Sequence, residues 1–317
     1  MKIFLKNIVL FFFLTIIVGE IVIRMTHSVS DVPQRTIDQY GIQKYFPDQE
    51  GYWKGGKHKW VINKLGWAGE LPDNFDNLIS IIGDSYIENF MNPNECHQSI
   101  FLKENLRAFN FMEAGRSGVS LIEAMEISKQ IDSLKPLQTL IYVNNNDFFE
   151  SVFEIKPLDD ITQLRLKDHN INYGQLKAAG LKKILYNWKL LYYFYNRFPI
   201  LNSSVNNKEL NKNKSTNKNG IKYKKEIFKL IDYISVKYSI KNKTLVFHPN
   251  SHKLIINKCR DVGFNVISLD SRNDKGWTFD HDSHWTCYGH KKVAQQVYES
   301  ILMTNLLKPK TNLTNKK

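Results

Sequence analysis

Two short segments that lie far apart in the chain carry the residue types of a nucleophile and its base. Gly83-Asp84-Ser85 directly follows an apolar run, and Asp282-Ser283-His284-Trp285 comes before a predicted helix. A serine hydroxyl needs a base to remove its proton, and histidine is the usual base. These residue types predict Ser85 as a catalytic nucleophile and His284 as its base. A structural alternative exists, because Asp84 or Ser85 would also suit a helix N-cap.

Two carboxylates compete for the third role, which is to hold the imidazole in the required tautomer and to stabilise its charged form. Asp282 stands two residues before His284, and Asp280 stands four residues before it. We expect Asp282 to be the acid, because this spacing lets its carboxylate fold back beside the ring within one tight turn. Asp280 is the alternative acid.

Hydrogen-bond donors for an oxyanion are expected from two further segments. Gly118 follows the second predicted strand and could present its backbone N–H, while Asn146 follows the third and could donate from its side-chain amide. Such donors stabilise the intermediate of acyl transfer, and losing one raises the barrier by about 3–4 kcal/mol. Taken singly, the two segments could also be a glycine turn and an Asn-rich loop.

The elements that must position these residues alternate between short apolar runs and helix-like segments from residue 78 onwards. Strands are predicted at residues 78–82, 108–112, 139–143, 244–248 and 265–269. Helices are predicted near residues 97–107, 120–133, 221–238, 252–262 and 288–302. This alternation predicts an α/β fold with a parallel sheet covered on both faces. Ligand sites in such sheets lie at the carboxyl ends of the strands, where Ser85, Gly118 and Asn146 stand.

Three segments lie outside this alternation. Residues 26–75 are rich in Tyr and Trp, and we expect short irregular strands and turns packed beside the main domain, with carbohydrate binding by the aromatics as the alternative. An insert at about 148–220 contains a helical stretch at 175–198 and an Asn/Lys/Ser tract at 202–219, expected to be a mobile loop or linker. Residues 306–317 form a polar tail for which disorder is expected.

The N-terminal segment has the composition of a membrane helix. Within residues 1–25, Lys2 and Lys6 precede an apolar run that contains one charge, Glu20, with Arg24 four residues later. A spanning helix needs about 20 apolar residues. The run reaches this length only if Glu20 is tolerated within the helix, and an ion pair between Glu20 and Arg24 would stabilise it there. No small-residue cleavage site follows, so we expect an uncleaved anchor rather than a removed signal peptide. The positive flank places the rest of the chain outside the cytoplasm.

Composition narrows the classes of partner and cofactor. The net charge of +13 comes from lysines spread along all 317 residues, without an aromatic-interleaved basic stripe, so no nucleic-acid partner is expected. Cys96, Cys259 and Cys287 are too few and too scattered for a disulfide framework or a zinc site, and they leave the compartment open. We expect neither a metal nor a cofactor, because serine-based acyl transfer needs none.

The order and spacing of the four motifs resemble the sequence blocks of the SGNH (GDSL) hydrolases. The resemblance covers about residues 76–305 and rests on Gly83-Asp84-Ser85, Gly118, Asn146-Asp147 and Asp282-x-His284. It implies a flavodoxin-like three-layer α/β/α sandwich. It also implies Ser85 as nucleophile, Gly118 and Asn146 as lining of the oxyanion hole, and His284 as base.

The chain departs from the family pattern at two points. The third block usually begins with Gly, where this chain has Asn144, and the family Asp commonly stands three residues before the His, where this chain has His281. An Asp-x-His-Trp arrangement is more similar to that of membrane-associated polysaccharide O-acetyltransferases, which share the fold. The acid therefore stays open between Asp282 and Asp280. Further polar candidates for lining the pocket are Arg116, His248, Asn250 and His281.

Three functions fit these observations. The first is a serine esterase or deacetylase that acts on an acylated envelope glycan or a similar ester through an acyl-Ser intermediate. The second is an O-acyltransferase on a cell-envelope polysaccharide, which differs in whether a sugar hydroxyl or water attacks that intermediate. The third is a catalytically inactive, membrane-anchored binding module, against which the intact Ser85, Asn146, Asp282 and His284 weigh.

Overall fold

The computed structural model describes residues 1–198, 223–304 and 307. The tract predicted at 202–219 and, apart from residue 307, the tail predicted at 306–317 lie outside the described residues. The strands, in chain order, are β1 (Arg35–Ile37), β2 (Gln43–Tyr45), β3 (Glu50–Tyr52), β4 (Lys59–Val61), β5 (Leu78–Gly83), β6 (Asn110–Gly115), β7 (Gln138–Val143), β8 (Gln163–Arg165), β9 (Asn170–Asn172), β10 (Lys243–Phe247), β11 (Asn265–Ser268), β12 (Thr278–Phe279) and β13 (Asp282–Trp285). The helices, in chain order, are α1 (Lys2–Thr26), α2 (Ser85–Glu88), α3 (Gln98–Asn105), α4 (Leu121–Ile131), α5 (Asn145–Glu150), α6 (Ala179–Asn187), α7 (Lys189–Arg197), α8 (Lys224–Lys237), α9 (Lys253–Asp261) and α10 (Cys287–Thr304).

Five strands form one parallel sheet in the order β11-β10-β7-β5-β6. All residues of β5 and β7 are buried, as strands covered on both faces must be. The predicted α/β class with a parallel sheet is confirmed. The second predicted strand, at 108–112, is displaced: β6 runs from Asn110 to Gly115 because its ladder follows β5 as far as Gly83.

Side chains that alternate along β5 feed two separate cores. Leu78 and Ile82 pack in one cluster with α4, α8 and α9. Ile79 and Ile81 pack in a second cluster with α3 and α10. Since successive strand side chains point to opposite faces, these two clusters lie on opposite sides of the sheet. The predicted three-layer α/β/α sandwich is confirmed.

The segment at 26–75 forms two small antiparallel hairpins, β1 with β2 and β3 with β4. Tyr45 and Trp60 lie in a small core of their own, and Trp67 joins the larger core beside the sheet. Both tryptophans are buried, so neither offers a ring face to a sugar. These contacts support the packed-flap interpretation for the buried aromatics.

The stretch predicted to be helical at 175–198 contains two helices, α6 and α7. They are separated at Trp188, whose φ of −96° and ψ of 93° leave the helical region. The Glu20 carboxylate accepts the backbone N–H groups of Lys189 and Leu190 at 3.1 and 2.7 Å. These contacts satisfy donors that the start of a new helix leaves free. The break thus depends on a partner from α1, which local periodicity does not reveal.

Helix α1 is long and apolar enough to cross a membrane, with a mean hydropathy of 2.4 and no buried residue. A signal sequence near the N-terminus would pass the same test. Glu20 and Arg24 form an ion pair at 2.6 Å, as their spacing predicted. The predicted N-terminal apolar helix is confirmed, while its role as an anchor and its orientation stay predictions.

A disulfide joins Cys96 to Cys287, and Cys259 is a buried free thiol. The bond ties the turn after α2 to the first residue of α10, and so connects the segment that follows Ser85 with the segment that follows His284. The sequence did not single out this pair, because 191 residues separate the two cysteines. A crosslink that closes a long loop stabilises the folded state by about 2–5 kcal/mol.

Candidate active site

Ser85 is the first residue of α2, directly past the carboxyl end of β5. Asp84 is the N-cap, and its side chain accepts the N–H of Tyr86 at 3.0 Å. The N-cap interpretation and the nucleophile interpretation therefore apply to neighbouring residues and do not exclude each other.

Two glycines let α2 lie directly on the strand ends. A Cβ on Gly83 would come within 2.5 Å of a side-chain carbon of Ile87, and one on Gly115 within 2.4 Å of the backbone nitrogen of Glu88. Any larger residue at Gly115 would push α2 away from β6, since backbone cannot give way as a side-chain tip can. The sharp strand-to-helix turn that presents Ser85 thus depends on both glycines.

His284 lies between Ser85 and Asp282. Its Nε2 is 2.7 Å from Ser85 Oγ, and its Nδ1 is hydrogen-bonded to Asp282 Oδ1. The same Asp282 oxygen accepts the backbone N–H of His284 at 2.8 Å. Burial raises the pKa of Asp282, but the hydrogen bonds from His284 outweigh this effect and leave that pKa below its usual value. Ionised Asp282 is therefore placed to hold the Nδ1–H tautomer, with Nε2 free to accept the serine proton.

Asp282 and His284 are brought together by a strand, and not by a loop as the sequence suggested. Both residues lie on β13, where positions two apart point to the same face. Asp280 is in the two-residue turn between β12 and β13 and is exposed. Within the described residues, it makes no hydrogen bond or ion pair with His284. The structure thus brings Asp282, and not Asp280, to the imidazole.

An aromatic group surrounds the imidazole of His284. The ring of Tyr86 lies 4.9 Å from that of His284 and 4.8 Å from that of Trp285, between ring centroids. The Tyr86 hydroxyl donates to the backbone oxygen of Ser283 at 3.1 Å, which fixes β13 against α2. This packing restricts the orientation of His284 and shields one side of it from water.

Ser85, Gly118 and Asn146, the predicted sources of two backbone donors and one side-chain amide, line the same cleft. In the part of the chain that the structure describes, the N–H groups of Ser85 and Gly118 donate to no protein acceptor. Gly118 has a φ of +81°, a conformation that favours glycine. Asn146 is exposed and lines the same cleft, and its own N–H donates to Asn144 Oδ1 at 2.7 Å. These groups have the chemistry of an oxyanion hole, and that role stays a prediction.

Asn144, the residue that departs from the family pattern, joins two carboxylates beneath Ser85. Its amide donates to Asp84 Oδ2 at 3.1 Å and to Asp147 Oδ1 at 3.2 Å, and its backbone N–H donates to Asp147 Oδ2 at 2.7 Å. Burial and mutual repulsion raise the pKa of Asp147 well above its usual value, and burial raises that of Asp84 to about 6. Sequence analysis missed this acidic pair, although both residues belonged to recognised motifs.

We expect the Asp84→Asn variant to gain stability relative to the unmodified chain as pH rises. Because the folded-state pKa is raised, the stability that protonated Asp84 contributes is present at low pH and is lost as pH rises through about 6. The loss amounts to at most about 3 kcal/mol. The free energy of unfolding is measured in urea at about pH 4 and about pH 8. Between these two pH values it should change in favour of the variant relative to the unmodified chain.

A matched control for this experiment is the exposed Asp73→Asn change. The difference in free energy of unfolding between this variant and the unmodified chain should stay nearly constant over the same pH interval. An equally constant difference for Asp84→Asn would show that folding does not raise the pKa of Asp84.

The cleft around Ser85 has a volume of about 740 Å³. His248 and Asn250, two of the polar candidates, line it. Arg116 does not line the cleft. It is buried, and it donates to Glu123 at 2.7 Å and to the backbone oxygen of Gln43 at 3.1 Å. A buried guanidinium requires partners of this kind to offset the loss of its hydration. His281 is exposed in the hairpin turn and is not part of the lining.

His248 follows the carboxyl end of β10 and is 6% exposed. Its ring lies 4.2 Å from that of Tyr86 and 4.6 Å from that of Trp285, and its Nε2 is buried without a hydrogen-bond partner among the described residues. Burial, followed by the nearby charge of His284, lowers the pKa of His248 to about 3. A neutral imidazole thus borders the cleft at neutral pH. No group of three His, Cys, Asp or Glu side chains suited to a metal occurs within the described residues.

Comparison with known proteins gives a likeness at the level of solved structures. No family model matches the chain, and no curated protein matches it. The chain is similar to a psychrotrophic esterase EstA from Pseudoalteromonas sp., with 13% identity, a TM-score of 0.39, and coverage of 73% of this chain and 99% of the esterase.

Two further structures give the same kind of likeness. One is a candidate lipolytic protein of the G-D-S-L family from Desulfitobacterium hafniense, with 10% identity, a TM-score of 0.36, and coverage of 71% of this chain and 99% of that chain. The other is TesA, with 10% identity, a TM-score of 0.36, and coverage of 73% and 99%. Because both the identities and the TM-scores are low, the functional interpretation rests on the geometry around Ser85.

Proposed function

We propose that this protein is a serine esterase or deacetylase that forms an acyl-Ser intermediate on Ser85. One observation carries the proposal: His284 Nε2 lies 2.7 Å from Ser85 Oγ while Asp282 holds Nδ1. A hydroxyl, an imidazole and a carboxylate in this order form the hydrogen-bond relay of serine acyl transfer. The N–H groups of Ser85 and Gly118, two residues that line the cleft, donate to no acceptor among the described residues and support the same chemistry.

In the proposed reaction, His284 takes the proton of Ser85 as its Oγ attacks the ester carbonyl carbon. The carbonyl oxygen becomes an oxyanion and accepts hydrogen bonds from Ser85, Gly118 and Asn146. Collapse of the intermediate expels the alcohol, which takes the proton from His284, and leaves the acyl group on Ser85. Water then attacks the acyl-Ser, with His284 again acting as base, and releases the carboxylic acid.

The lining of the cleft supports an acylated glycan as the substrate class. Besides Ser85, ten side chains that line the cleft carry an amide or a hydroxyl group: Tyr86, Asn144, Asn145, Asn146, Asn250, Ser251, Ser271, Asn273, Thr278 and Ser283. Groups of this kind both donate and accept hydrogen bonds, as the hydroxyls of a sugar do. A long acyl chain would gain little from such a surface, because burying apolar area is what favours its binding.

The decisive experiment is a turnover assay on O-acetylated polysaccharides and on small acetyl esters. The proposal requires release of acetate from the glycan with a higher kcat/KM than from a small ester of comparable reactivity. Equal kcat/KM values would retain the esterase and remove the glycan from the proposal.

The same polar lining also favours an O-acyltransferase, because it could hold a sugar hydroxyl in place of the attacking water. Adding a deacetylated oligosaccharide to the assay separates the two functions. A transferase would move the acyl group to the sugar and reduce acetate release, whereas an esterase would release acetate at an unchanged rate. Failure of a fluorophosphonate to label Ser85 would instead support the inactive binding module.

We further propose that α1 anchors the protein in a membrane with the catalytic domain outside the cytoplasm. Lys2 and Lys6 precede the apolar run, and positive flanks stay on the cytoplasmic side. The Cys96–Cys287 disulfide supports the same side, since disulfides form and persist in oxidising compartments.

We expect a reporter fused to the C-terminus to be accessible only from outside the cytoplasm. In addition, alkylation of the denatured chain without reductant should modify Cys259 alone, and reduction should expose Cys96 and Cys287. A reporter accessible from the cytoplasm would show that the orientation is wrong. Alkylation of all three cysteines before reduction would show that the disulfide is absent, and it would no longer support the proposed orientation.

A further inference from the structure

Rows of exposed apolar side chains run along α6 and α7. On α6 and on α7 two of them stand three residues apart and so share a face of the helix, and a further aromatic residue directly follows each helix. We call them the apolar stripe, and its members are Leu181, Ile184, Trp188, Leu191, Phe194 and Phe198. Their exposed fractions range from 40% to 68%, and neither helix contains a buried residue. Exposed apolar patches of this kind mark contact sites for proteins or membranes.

The helices that carry the apolar stripe are attached to the end of α1. The Glu20 carboxylate accepts the N–H of Leu190, and Arg24 donates to the backbone oxygen of Asn187 at 2.5 Å. A Cβ on Gly19 would lie only 3.1 Å from the Leu190 side chain, so the two helices are in close contact there. These contacts hold the junction of α6 and α7 at the level of Glu20 and Arg24 on α1.

That level is the boundary between the apolar and polar parts of α1. Glu20 is the one charge within the last part of the apolar run, and Arg24 is the first charged residue after it. In a spanning helix, they mark the depth at which the chain leaves the hydrocarbon and enters the headgroup region. Side chains of α6 and α7 at this depth would meet the interfacial zone, where Trp is enriched at the level of the headgroups.

Basic side chains accompany the apolar stripe. Lys182 and Lys183 on α6 and Arg197 on α7 are exposed, and they form no ion pair with the described residues. Lys189, by contrast, is paired with Asp31 at 2.6 Å and so belongs to the protein's own contacts. An apolar face flanked by unpaired cations complements the boundary of a bilayer that contains anionic lipid.

We propose that the apolar stripe of α6 and α7 lies in the interfacial zone of the bilayer that holds α1 and binds its acyl and headgroup boundary. The chain then contacts the membrane at two places, through a spanning helix and through a helix pair parallel to the surface. This second contact fixes the orientation of the catalytic domain above the membrane, which a single spanning helix would leave free to rotate. The inference rests on the proposed anchor and is independent of the proposed enzymatic activity.

The test measures the depth of nitroxide labels on the full-length chain in nanodiscs of phosphatidylcholine and phosphatidylglycerol. Labels are placed through Leu181→Cys and Phe194→Cys on the apolar stripe, through Val236→Cys on α8 and through Phe12→Cys in α1. Val236 is a matched apolar control, because it is 89% exposed on a helix outside the stripe. The native cysteines do not interfere, since Cys259 is buried and the other two are disulfide-bonded.

We expect labels at 181 and 194 to collide less often with a water-soluble nickel complex, and more often with oxygen, than the label at 236 does. The label at 12 should show the same pattern, while the label at 236 should stay accessible to nickel. The proposal is overturned if 181 and 194 behave like 236. Dipolar broadening between labels at 194 would instead identify a second copy of the chain as the occupant and would equally overturn it. A nickel-accessible label at 12 would remove the anchor and the proposal together, without bearing on esterase activity.

Discussion

Replacing Ser85 with alanine is expected to abolish ester turnover while leaving the fold intact. The hydroxyl is the only atom lost, and it is the group that accepts the acyl chain in the proposed reaction. Removing a nucleophile from a triad lowers kcat by at least about 10⁴-fold, because the remaining groups act only as a unit with it. The helix cap is preserved, since the side chain of Asp84 and not that of Ser85 accepts the capping N–H. The free energy of unfolding should therefore change by no more than about 1 kcal/mol.

Turnover of a small acetyl ester, fluorophosphonate labelling and urea unfolding of the purified variant check this expectation. Ser283→Ala is a suitable control for the label, because Ser283 borders the same cleft and carries a second exposed hydroxyl. The control should be labelled like the unmodified chain, and Ser85→Ala should not be labelled. Turnover retained by Ser85→Ala would remove Ser85 from the mechanism.

Replacing Asp282 with asparagine is expected to have the second largest effect. Asparagine keeps an oxygen for the backbone N–H of His284 but carries no charge to stabilise the imidazolium. Its amide can also donate to the ring and favour the wrong tautomer, in which Nε2 carries the proton and cannot act as base. The rate of acylation should fall by about 10⁴-fold. Single-turnover kinetics with a chromogenic ester, read as the burst of released alcohol, measures this step directly.

Asp280→Asn is the matched control, because it makes the same chemical change two residues away in the exposed hairpin turn. Its acylation rate should stay within a few-fold of the unmodified rate. If only Asp280→Asn cripples acylation, the assignment of the acid is wrong, although the contact between Ser85 and His284 would still stand. Comparable losses in both variants would point to a disturbed β12–β13 hairpin, and near-UV circular dichroism would then show the change.

The central fold could be predicted from the sequence because its signals are local. Buried parallel strands require continuous apolar runs, and the run before Ser85 forms β5 with every residue buried. The boundaries were less accurate, since β6 extends to Gly115 only through its ladder with β5. The break within the helical stretch at 175–198 was not foreseen for a related reason: Glu20, which lies in α1, accepts the first N–H groups of α7.

The candidate site was predicted in part, through residue types at recognisable spacings. Ser85, His284 and Asp282 could be named because nucleophile, base and acid each need a particular functional group. The contact between Asn144 and Asp84 could not be named, because it joins the ends of β7 and β5 and depends on which strands are neighbours. The contact between Asn144 and Asp147, by contrast, is local to the start of α5. His248 could be named as a polar candidate for the cleft, but its burial against Tyr86 depends on the tertiary structure.

The sequence by itself determined the chemistry that is available and the class of fold, because functional groups and hydrophobic periodicity are properties of short segments. Only the tertiary structure decided which groups meet. It selected Asp282 over Asp280 because two positions on one strand face the same way, whereas a hairpin turn points its residues into solvent. It paired Cys96 with Cys287 because α3, which begins two residues after Cys96, packs against α10, a proximity that residues 191 positions apart cannot encode locally.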